Sequence, residues 1–279
     1  MANNVILQES VALVRERLGD QLSAITVERA AFGLFFSGVK LSTGQGGLCF
    51  TPIKEIPAAV CCPSSAAAMP LSGRLRGRSA EKYLEDVFCD NILRKALGIA
   101  TLNALSSLLW ELEPPTEYTI EMAKDAFDEL DVTKYEKTVV IGALVPMLKK
   151  LIGARKDFRV LEQDSRTLKE RELPYFVPAE STPEFVPHAD LLVITGVTIL
   201  NDTLPSILAM AKPGAEILVT GPTASMLPEP LFDKGVTMAG GILVTKADEM
   251  LDILTEGGSG YHFFGKSAER TVIRKRSAQ

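Results

Sequence analysis

The sequence contains few of the residues that build small metal-bound or disulfide-bonded domains. Its 279 residues include two histidines, four cysteines and one tryptophan. Cys61 and Cys62 are adjacent, which is not the spacing of a tetrahedral zinc site, and the two histidines lie far apart in the chain. We therefore expect no metal site built from cysteine and histidine. Any metal is expected to arrive bound to an organic ligand or to oxygen donors such as Glu162 and Asp164.

The sequence also lacks an excess of positive charge and a long uninterrupted apolar stretch. Thirty Lys and Arg residues stand against 35 Asp and Glu residues, a formal net charge of −5, so we expect no nucleic-acid partner. Charges or prolines interrupt the apolar stretches before the roughly 20 residues that a membrane span needs, so we expect no membrane partner. The first residues lack the basic start and apolar core of a signal peptide, which predicts a cytoplasmic protein with reduced thiols.

The first part of the sequence mixes helical and strand patterns. Apolar residues recur every three or four positions from Val5 to Leu22, as on one face of a helix. A second helical pattern at 90–110 leaves almost no polar face and therefore predicts a buried helix. Glycines predict turns at Gly38 and Gly44. The remaining predicted elements are strands at 25–29, 31–37 and 47–52, an irregular loop at 53–79 and a helix at 80–88.

The second part alternates strands and helices. Pro114 and Pro115 interrupt the chain, and we place a domain boundary there, with domains at 1–114 and 115–279. Several predicted strands are continuous apolar runs, which suit strands covered on both faces. The alternation predicts a doubly wound, Rossmann-like parallel sheet and an α/β fold class. The strands are predicted at 138–141, 158–162, 190–195, 216–220 and 241–245, with an edge strand at 270–274, and the helices at 143–152, 202–211 and 246–254.

Candidate ligand-binding residues follow the predicted strands, because open α/β sheets bind ligands outside the carboxyl ends of their strands. Gly142 follows the first strand, but the surrounding residues do not form the Gly-x-Gly-x-x-Gly dinucleotide fingerprint. Glu162 ends the second strand about 20 residues later, where an acidic residue commonly binds ribose. The alternative interpretation is a tight turn for Gly142 and a solvated strand end for Glu162. The candidates after the later strands are Thr195, Gly196, Asn201, Gly221, Pro222 and Ser225, for some of which helix capping is the alternative. Gly240, which directly precedes the predicted strand at 241–245, is a further candidate.

Two polar residues of the first part are further candidates. Lys40 lies in a glycine-rich stretch, where it would bind an anionic ligand, or act as an acid–base group if burial lowers its pKa. A solvated turn lysine is the alternative. Asn103 is an amide within the apolar helix and needs a hydrogen-bond partner, so it either ties the helix to a loop or reaches the ligand. The candidate catalytic residues are Lys40, Asn103 and Glu162, and the ligand-binding candidates of this part are Gly38, Lys40, Thr43, Gly44 and Asn103.

Several stretches together resemble a known family. They include Gly98–Leu105, Val140–Gly142, Asp190–Gly196 and Leu218–Thr223. In this order they are similar to the bacterial and archaeal family described as putative heavy-metal chelation proteins. The resemblance implies an enolase-N-terminal-like α+β domain before a Rossmann-like domain, with one site built from both. It also implies metal chelation, or condensation or hydrolysis of pterin-, flavin- or siderophore-like molecules.

The sequence therefore predicts a protein that binds or processes a small metal-chelating molecule in an interdomain crevice. One alternative is a transferase or hydrolase with a methyltransferase-like site for an S-adenosylmethionine-type ligand. Another alternative is a non-catalytic carrier of a metal complex. The sequence names no cofactor, and a homo-oligomer remains an open alternative.

Overall fold

The computed structural model describes residues 4–55 and 71–276, which form a small and a large β-sheet. The small antiparallel sheet has the order β1-β2-β3, with β1 Val27–Phe32, β2 Phe36–Leu41 and β3 Gly46–Phe50. The large sheet has the order β4-β11-β10-β9-β8-β5-β6-β7. Its strands are β4 Tyr118–Met122, β5 Thr138–Ile141, β6 Phe158–Glu162, β7 Phe176–Pro178, β8 Leu191–Thr195, β9 Glu216–Thr220, β10 Met238–Val244 and β11 Ala268–Lys275.

Helices cover both sheets. In chain order they are α1 Val5–Leu18, α2 Ala80–Asp86, α3 Ile92–Leu112, α4 Val145–Gly153, α5 Thr182–Phe185, α6 Val197–Leu200, α7 Leu204–Met210, α8 Glu229–Phe232, α9 Ala247–Thr255 and α10 Gly260–Phe263. Side-chain oxygens cap two of the longer ones, because Asn4 accepts a hydrogen bond from the Leu7 N–H at the start of α1 and Asn91 accepts one from the Arg94 N–H at the start of α3.

The order in which successive strands are added to the large sheet reverses between β5 and β8. Strands β5 to β10 pair in parallel. Strand β11 pairs antiparallel with β10 and with β4, so among the described strands of this sheet β11 is the one that runs in the opposite direction. Numbered along the chain from β5, the six parallel strands have the order 3-2-1-4-5-6, which is the order of the dinucleotide-binding Rossmann sheet. After β5, the chain adds β6 and β7 on one side of β5, and it then adds β8, β9 and β10 on the other side. The predicted α/β class is confirmed, and the pair β5–β8 is the topological switch point.

The small sheet lies between α3 and α9. Helix α3 packs on the face that carries Gly47, where a Cβ would lie 2.0 Å from the Ala100 carbonyl oxygen. Helix α9 packs on the opposite face, where Leu251 and Leu254 meet Leu48. Within the described ranges, α3 is the helix that is long and apolar enough to cross a membrane, and most of it is buried inside the protein. The prediction of a buried helix at 90–110 agrees with this packing.

Two glycines that the sequence assigned to loops lie inside strands. Gly38 is in the middle of β2 and not in a turn, because a Cβ there would lie 2.9 Å from Leu48 and 2.8 Å from Leu254. Gly240 is inside β10, where a Cβ would lie 2.5 Å from the Thr220 hydroxyl. Both predictions of loop positions are therefore wrong, and close packing explains the glycines. The sequence did not predict β4 or β7, the predicted loop at 53–79 falls in large part outside the described residues, and the domain boundary at residue 114 stays a prediction.

Candidate functional site

The carboxyl ends of β5 and β8 meet at Gly142 and Thr195. Gly142 has a φ of +92°, a conformation that residues with a side chain rarely adopt. A Cβ at this position would lie 2.7 Å from Thr195 Cγ2. The chain therefore needs glycine here, both for its backbone conformation and for its contact with the next strand. This contact brings two of the predicted ligand-binding residues together at the switch point.

Glu162 supports the turn that follows Gly142. Its Oε2 accepts a hydrogen bond from the Ala143 N–H at 3.0 Å, and its Oε1 accepts one from the Gln163 N–H at 2.8 Å. The carboxylate thus connects the end of β6 to the β5–α4 turn. Because both oxygens already accept backbone hydrogen bonds, Glu162 has less capacity to bind a ribose hydroxyl or a bare cation than its position in the sequence indicates.

Asp164 lies just beyond β6 and is held by two cations. Arg166 Nε donates to Asp164 Oδ1 at 2.9 Å, and Lys54 Nζ donates to Oδ2 at 2.6 Å. The hydrogen bonds from Arg166 and then from Lys54 hold the pKa of the Asp164 carboxyl well below its usual range. The sequence did not identify Lys54, since it lies far from Asp164 along the chain.

The segment from Phe50 to Lys54 connects two separated points of the large sheet. The Phe50 N–H donates to Thr223 Oγ1 at 3.0 Å, just after β9, while Lys54 reaches Asp164 just after β6. Strands β8 and β5 lie between β9 and β6, a separation of roughly 14 Å at about 4.8 Å per strand. The segment thus has contacts on both sides of the strand ends that carry Gly142 and Thr195.

Asn103 ties three elements together at the same edge. Its Nδ2 donates to the carbonyl oxygens of Leu48, Pro222 and Thr223 at 2.8, 3.1 and 3.2 Å. The residue is 2% exposed, and its Oδ1 is buried without a hydrogen-bond partner in the described part of the chain. Asn103 therefore joins α3 and β3 to the turn after β9, which is the loop-tying role that the sequence left open, at a position next to the predicted crevice.

A partly buried ion pair connects α3, the helix that carries Asn103, to the turn between α6 and α7. Lys95 Nζ donates to both oxygens of Asp202 at 2.6 Å, and the Asn4 amide donates to Asp202 Oδ1 at 2.8 Å. Asp202 has a φ of +63°, so a left-handed residue holds the turn between α6 and α7. The neighbouring Asn201 is exposed and accepts hydrogen bonds from the backbone and hydroxyl of Thr203. The sequence did not identify Lys95, since it lies 107 residues from Asp202 along the chain.

Most backbone N–H groups of the predicted strand-end candidates are used within the protein. The Gly196 N–H donates to the Thr220 carbonyl at 2.7 Å, and the Gly221 N–H donates to the Gly240 carbonyl at 2.9 Å. The Ser225 hydroxyl donates to the Pro222 carbonyl at 2.9 Å. A ligand at this edge would therefore meet side chains such as Lys54 and Thr195 more than free glycine N–H groups.

The structure does not bring the Lys40 stretch into this group. Lys40 pairs with Gly46 at the end of β3 that is distant from Phe50, and its side chain lies on the face covered by α9. Lys40 Nζ donates to Asp248 at 2.7 Å, and this hydrogen bond raises the pKa of Lys40. The lowered pKa that acid–base chemistry by Lys40 would require is therefore not found. Thr43 and Gly44 form the β2–β3 turn at the same distant end, and Gly38 contacts α9.

Metal-binding side chains are sparse around the edge. Among residues 4–55 and 71–276, no group of three His, Cys, Asp or Glu side chains is arranged to hold a metal ion. Cys49 is buried near Thr223, and burial raises the pKa of its thiol to about 12. A thiolate is the metal-binding form of cysteine, so this pKa opposes metal binding by Cys49 at neutral pH. Cys61 and Cys62 lie outside the described residues.

Two family models and several proteins are similar to this chain. One model described as putative heavy-metal chelation matches residues 125–273, and a second with the same description matches residues 15–106. An uncharacterized protein from Methanocaldococcus jannaschii is 26% identical over 196 residues, 70% of this chain and 72% of that protein. Crystal structures of two proteins of unknown function from the family of the first model share this fold. The one from Pyrococcus horikoshii has a TM-score of 0.76 and 21% identity, covering 96% of this chain and 99% of that one. The one from Desulfitobacterium hafniense has a TM-score of 0.71 and 18% identity, covering 96% and 100%.

Proposed function

The chain belongs to the putative heavy-metal chelation family, and from that premise we propose that it binds a preformed complex of a metal ion with a small organic chelator. The proposed site is the edge between the contacts of the Phe50–Lys54 segment, at the ends of β5 and β8. The observation that carries the proposal is the pair of contacts from this segment to Thr223 and Asp164, on either side of Gly142 and Thr195. A chelator of the pterin, flavin or siderophore type is part of the proposal.

The acidic residues at the edge favour a complex over a bare cation. Both Glu162 oxygens accept backbone hydrogen bonds, and both Asp164 oxygens accept hydrogen bonds from cations. A bare divalent ion would have to displace Lys54 and Arg166 from Asp164, and it would then hold few protein oxygens where it prefers several. An anionic complex would instead meet the Lys54 ammonium, which is paired with Asp164 but belongs to a side chain that is 66% exposed and has further N–H groups to donate.

The three candidate catalytic side chains are engaged in contacts within the protein, which favours binding without catalysis over a transferase or hydrolase activity. The ammonium of Lys40 is paired with Asp248, and its pKa is raised, so it is a poor base near neutral pH. The Asn103 amide nitrogen is held by three carbonyls, and Glu162 is held by the backbone. Of the two alternatives, we therefore prefer a non-catalytic carrier of the complex to a transferase or hydrolase.

Native mass spectrometry combined with elemental analysis tests the proposal on freshly purified full-length protein. The expected result is a bound organic mass together with a metal in equal amount. Lys54→Glu should lower the retained amount of both at least threefold, because it replaces the cation at the edge with a negative charge. Lys134→Glu makes the same charge change at an exposed lysine elsewhere and should leave retention unchanged.

Two results would contradict the proposal. One is stoichiometric metal without an organic mass, which would mean that protein side chains chelate the ion directly. The other is equal loss of the bound mass in the Lys54→Glu and Lys134→Glu variants. Asp164→Asn separates the two modes of binding further, since it should remove a directly chelated ion but retain a preformed complex.

A further inference from the structure

A cleft lies at the opposite edge of the large sheet, at the amino ends of β5 and β6. Its volume is about 440 Å³, within the range of small-molecule sites. Thr138 and Phe158 begin the two strands, whereas Gly142 and Glu162 lie at their other ends, roughly 13 Å away at about 3.3 Å per residue. The cleft is therefore distinct from the edge that carries the proposed function.

The cleft combines an apolar floor with a polar rim. Val139 and Phe185 supply the apolar surface; both pack with the core on the face of the sheet opposite α4. Arg159 alternates with Phe158 along β6, so its side chain points to this same face. The charged and polar rim consists of Lys137, Asp157, Arg159, Glu184 and His188.

Several N–H donors at the rim, on Arg159, Lys137 and His188, have no hydrogen-bond acceptor within the described residues. Arg159 uses Nη1 for both of its hydrogen bonds, at 2.6 Å to Asp157 Oδ1 and at 2.8 Å to the Phe158 carbonyl. Its Nε and Nη2 donate no hydrogen bond within the described residues, and neither do Lys137 Nζ and the His188 ring. The nearby Asp190 carboxylate accepts from Lys212 and from the Lys137 backbone N–H. Glu184 is the rim carboxylate that remains without such a partner.

From this pattern we propose that the cleft binds a small aromatic carboxylate. The free Nε–Nη2 edge of a guanidinium matches the two oxygens of a carboxylate, and such bidentate pairs are among the stronger hydrogen-bonded contacts. Lys137 adds a second cation at the rim, and Phe185 with Val139 offers an apolar surface for the ring. The site is independent of the proposed carrier function, since it uses residues at the other edge of the sheet.

Benzoate and its neutral isostere benzamide are the probes for this proposal. In ¹H–¹⁵N spectra of the full-length protein, we expect benzoate to cause saturable shifts at residues 137–139, 157–159 and 184–188. Benzamide should bind at least fivefold more weakly, because it lacks the charge. Arg159→Gln should weaken benzoate binding at least fivefold. Lys149→Gln removes the same charge from an exposed position on α4, on the other face, and should change binding less than twofold.

Three results would overturn the proposal: no saturable shifts at the cleft, equal binding of benzoate and benzamide, or unchanged binding in Arg159→Gln. If Arg159→Gln alters the fold by circular dichroism, Lys137→Gln replaces it, since Lys137 is exposed and its side chain makes no hydrogen bond in the described structure. The expected weakening in that variant is at least twofold, and unchanged binding there would likewise overturn the proposal.

Discussion

Replacing Lys95 with methionine should be among the more destabilising single substitutions in this protein. Lys95 is 7% exposed at its side chain, and its ammonium donates to both oxygens of Asp202, which is 23% exposed. Removing one partner of a buried ion pair costs about 3–5 kcal/mol, because it leaves a charge without compensation. Here Asp202 keeps the hydrogen bond from Asn4 and some contact with solvent. We therefore expect Lys95→Met to lower the free energy of unfolding by about 2–3 kcal/mol.

A double-mutant cycle measures how much of this loss belongs to the pair. Asp202→Asn keeps the left-handed backbone, which asparagine tolerates, and removes the charge. The double variant should recover part of the loss, with a coupling free energy of about 1.5–3 kcal/mol in urea unfolding. Lys149→Met, at an exposed position, should stay within about 0.5 kcal/mol of the unchanged protein. A loss below 1 kcal/mol in Lys95→Met, or additive single effects, would refute this reasoning.

Three other expectations follow from groups near the same edge. Asn103→Ala should lower the free energy of unfolding by about 2–3 kcal/mol in chemical denaturation, because it removes the amide donor that the Leu48 and Thr223 carbonyls share. An unchanged value would contradict this. The depressed pKa of Asp164 stabilises the fold above the unfolded pKa of about 3.9 and less as the pH falls below it. The stability difference between the protein and Asp164→Asn should therefore shrink in acid, and a difference constant down to pH 2 would contradict this. Cys49 should resist iodoacetamide at pH 8 until the protein is denatured, as peptide mapping can show, because burial raises its pKa to about 12; labelling of the native protein would contradict this.

The sequence predicted the buried parallel strands best. Thr138–Ile141, Phe158–Glu162 and Glu216–Thr220 were predicted with the bounds that the structure has, because strands covered on both faces read as apolar runs between turn residues. Strand β7 has three residues, and β4 pairs on one side only, so neither leaves a strong pattern. Glycine was the least informative residue type, because it occurs both in a turn, at Gly44, and at a closely packed position inside a strand, at Gly38 in β2.

The candidate edge was predicted in part. Residues after the strands, such as Gly142 and Thr195, could be placed because the carboxyl ends of parallel strands share one edge. The partners that hold this edge could not be placed, since Lys54 reaches Asp164 and Lys95 reaches Asp202 across more than 100 residues of sequence. A lysine that pairs at long range has the same local sequence pattern as a solvated one. The resemblance to the family was confirmed by the family models, whereas the site residues stay predictions.

The position of α9 has a consequence for synthesis on the ribosome. The small sheet is complete once residue 50 has been made, yet the helix that covers its second face begins at Ala247. Until then, Ala31 and Leu48 have no cover from Met250 and Leu254. A nascent chain that pairs these strands before α9 is made would carry an exposed apolar sheet face, and such faces promote association between chains. We therefore expect chaperones to bind this face in the interval before Thr255 has left the ribosome.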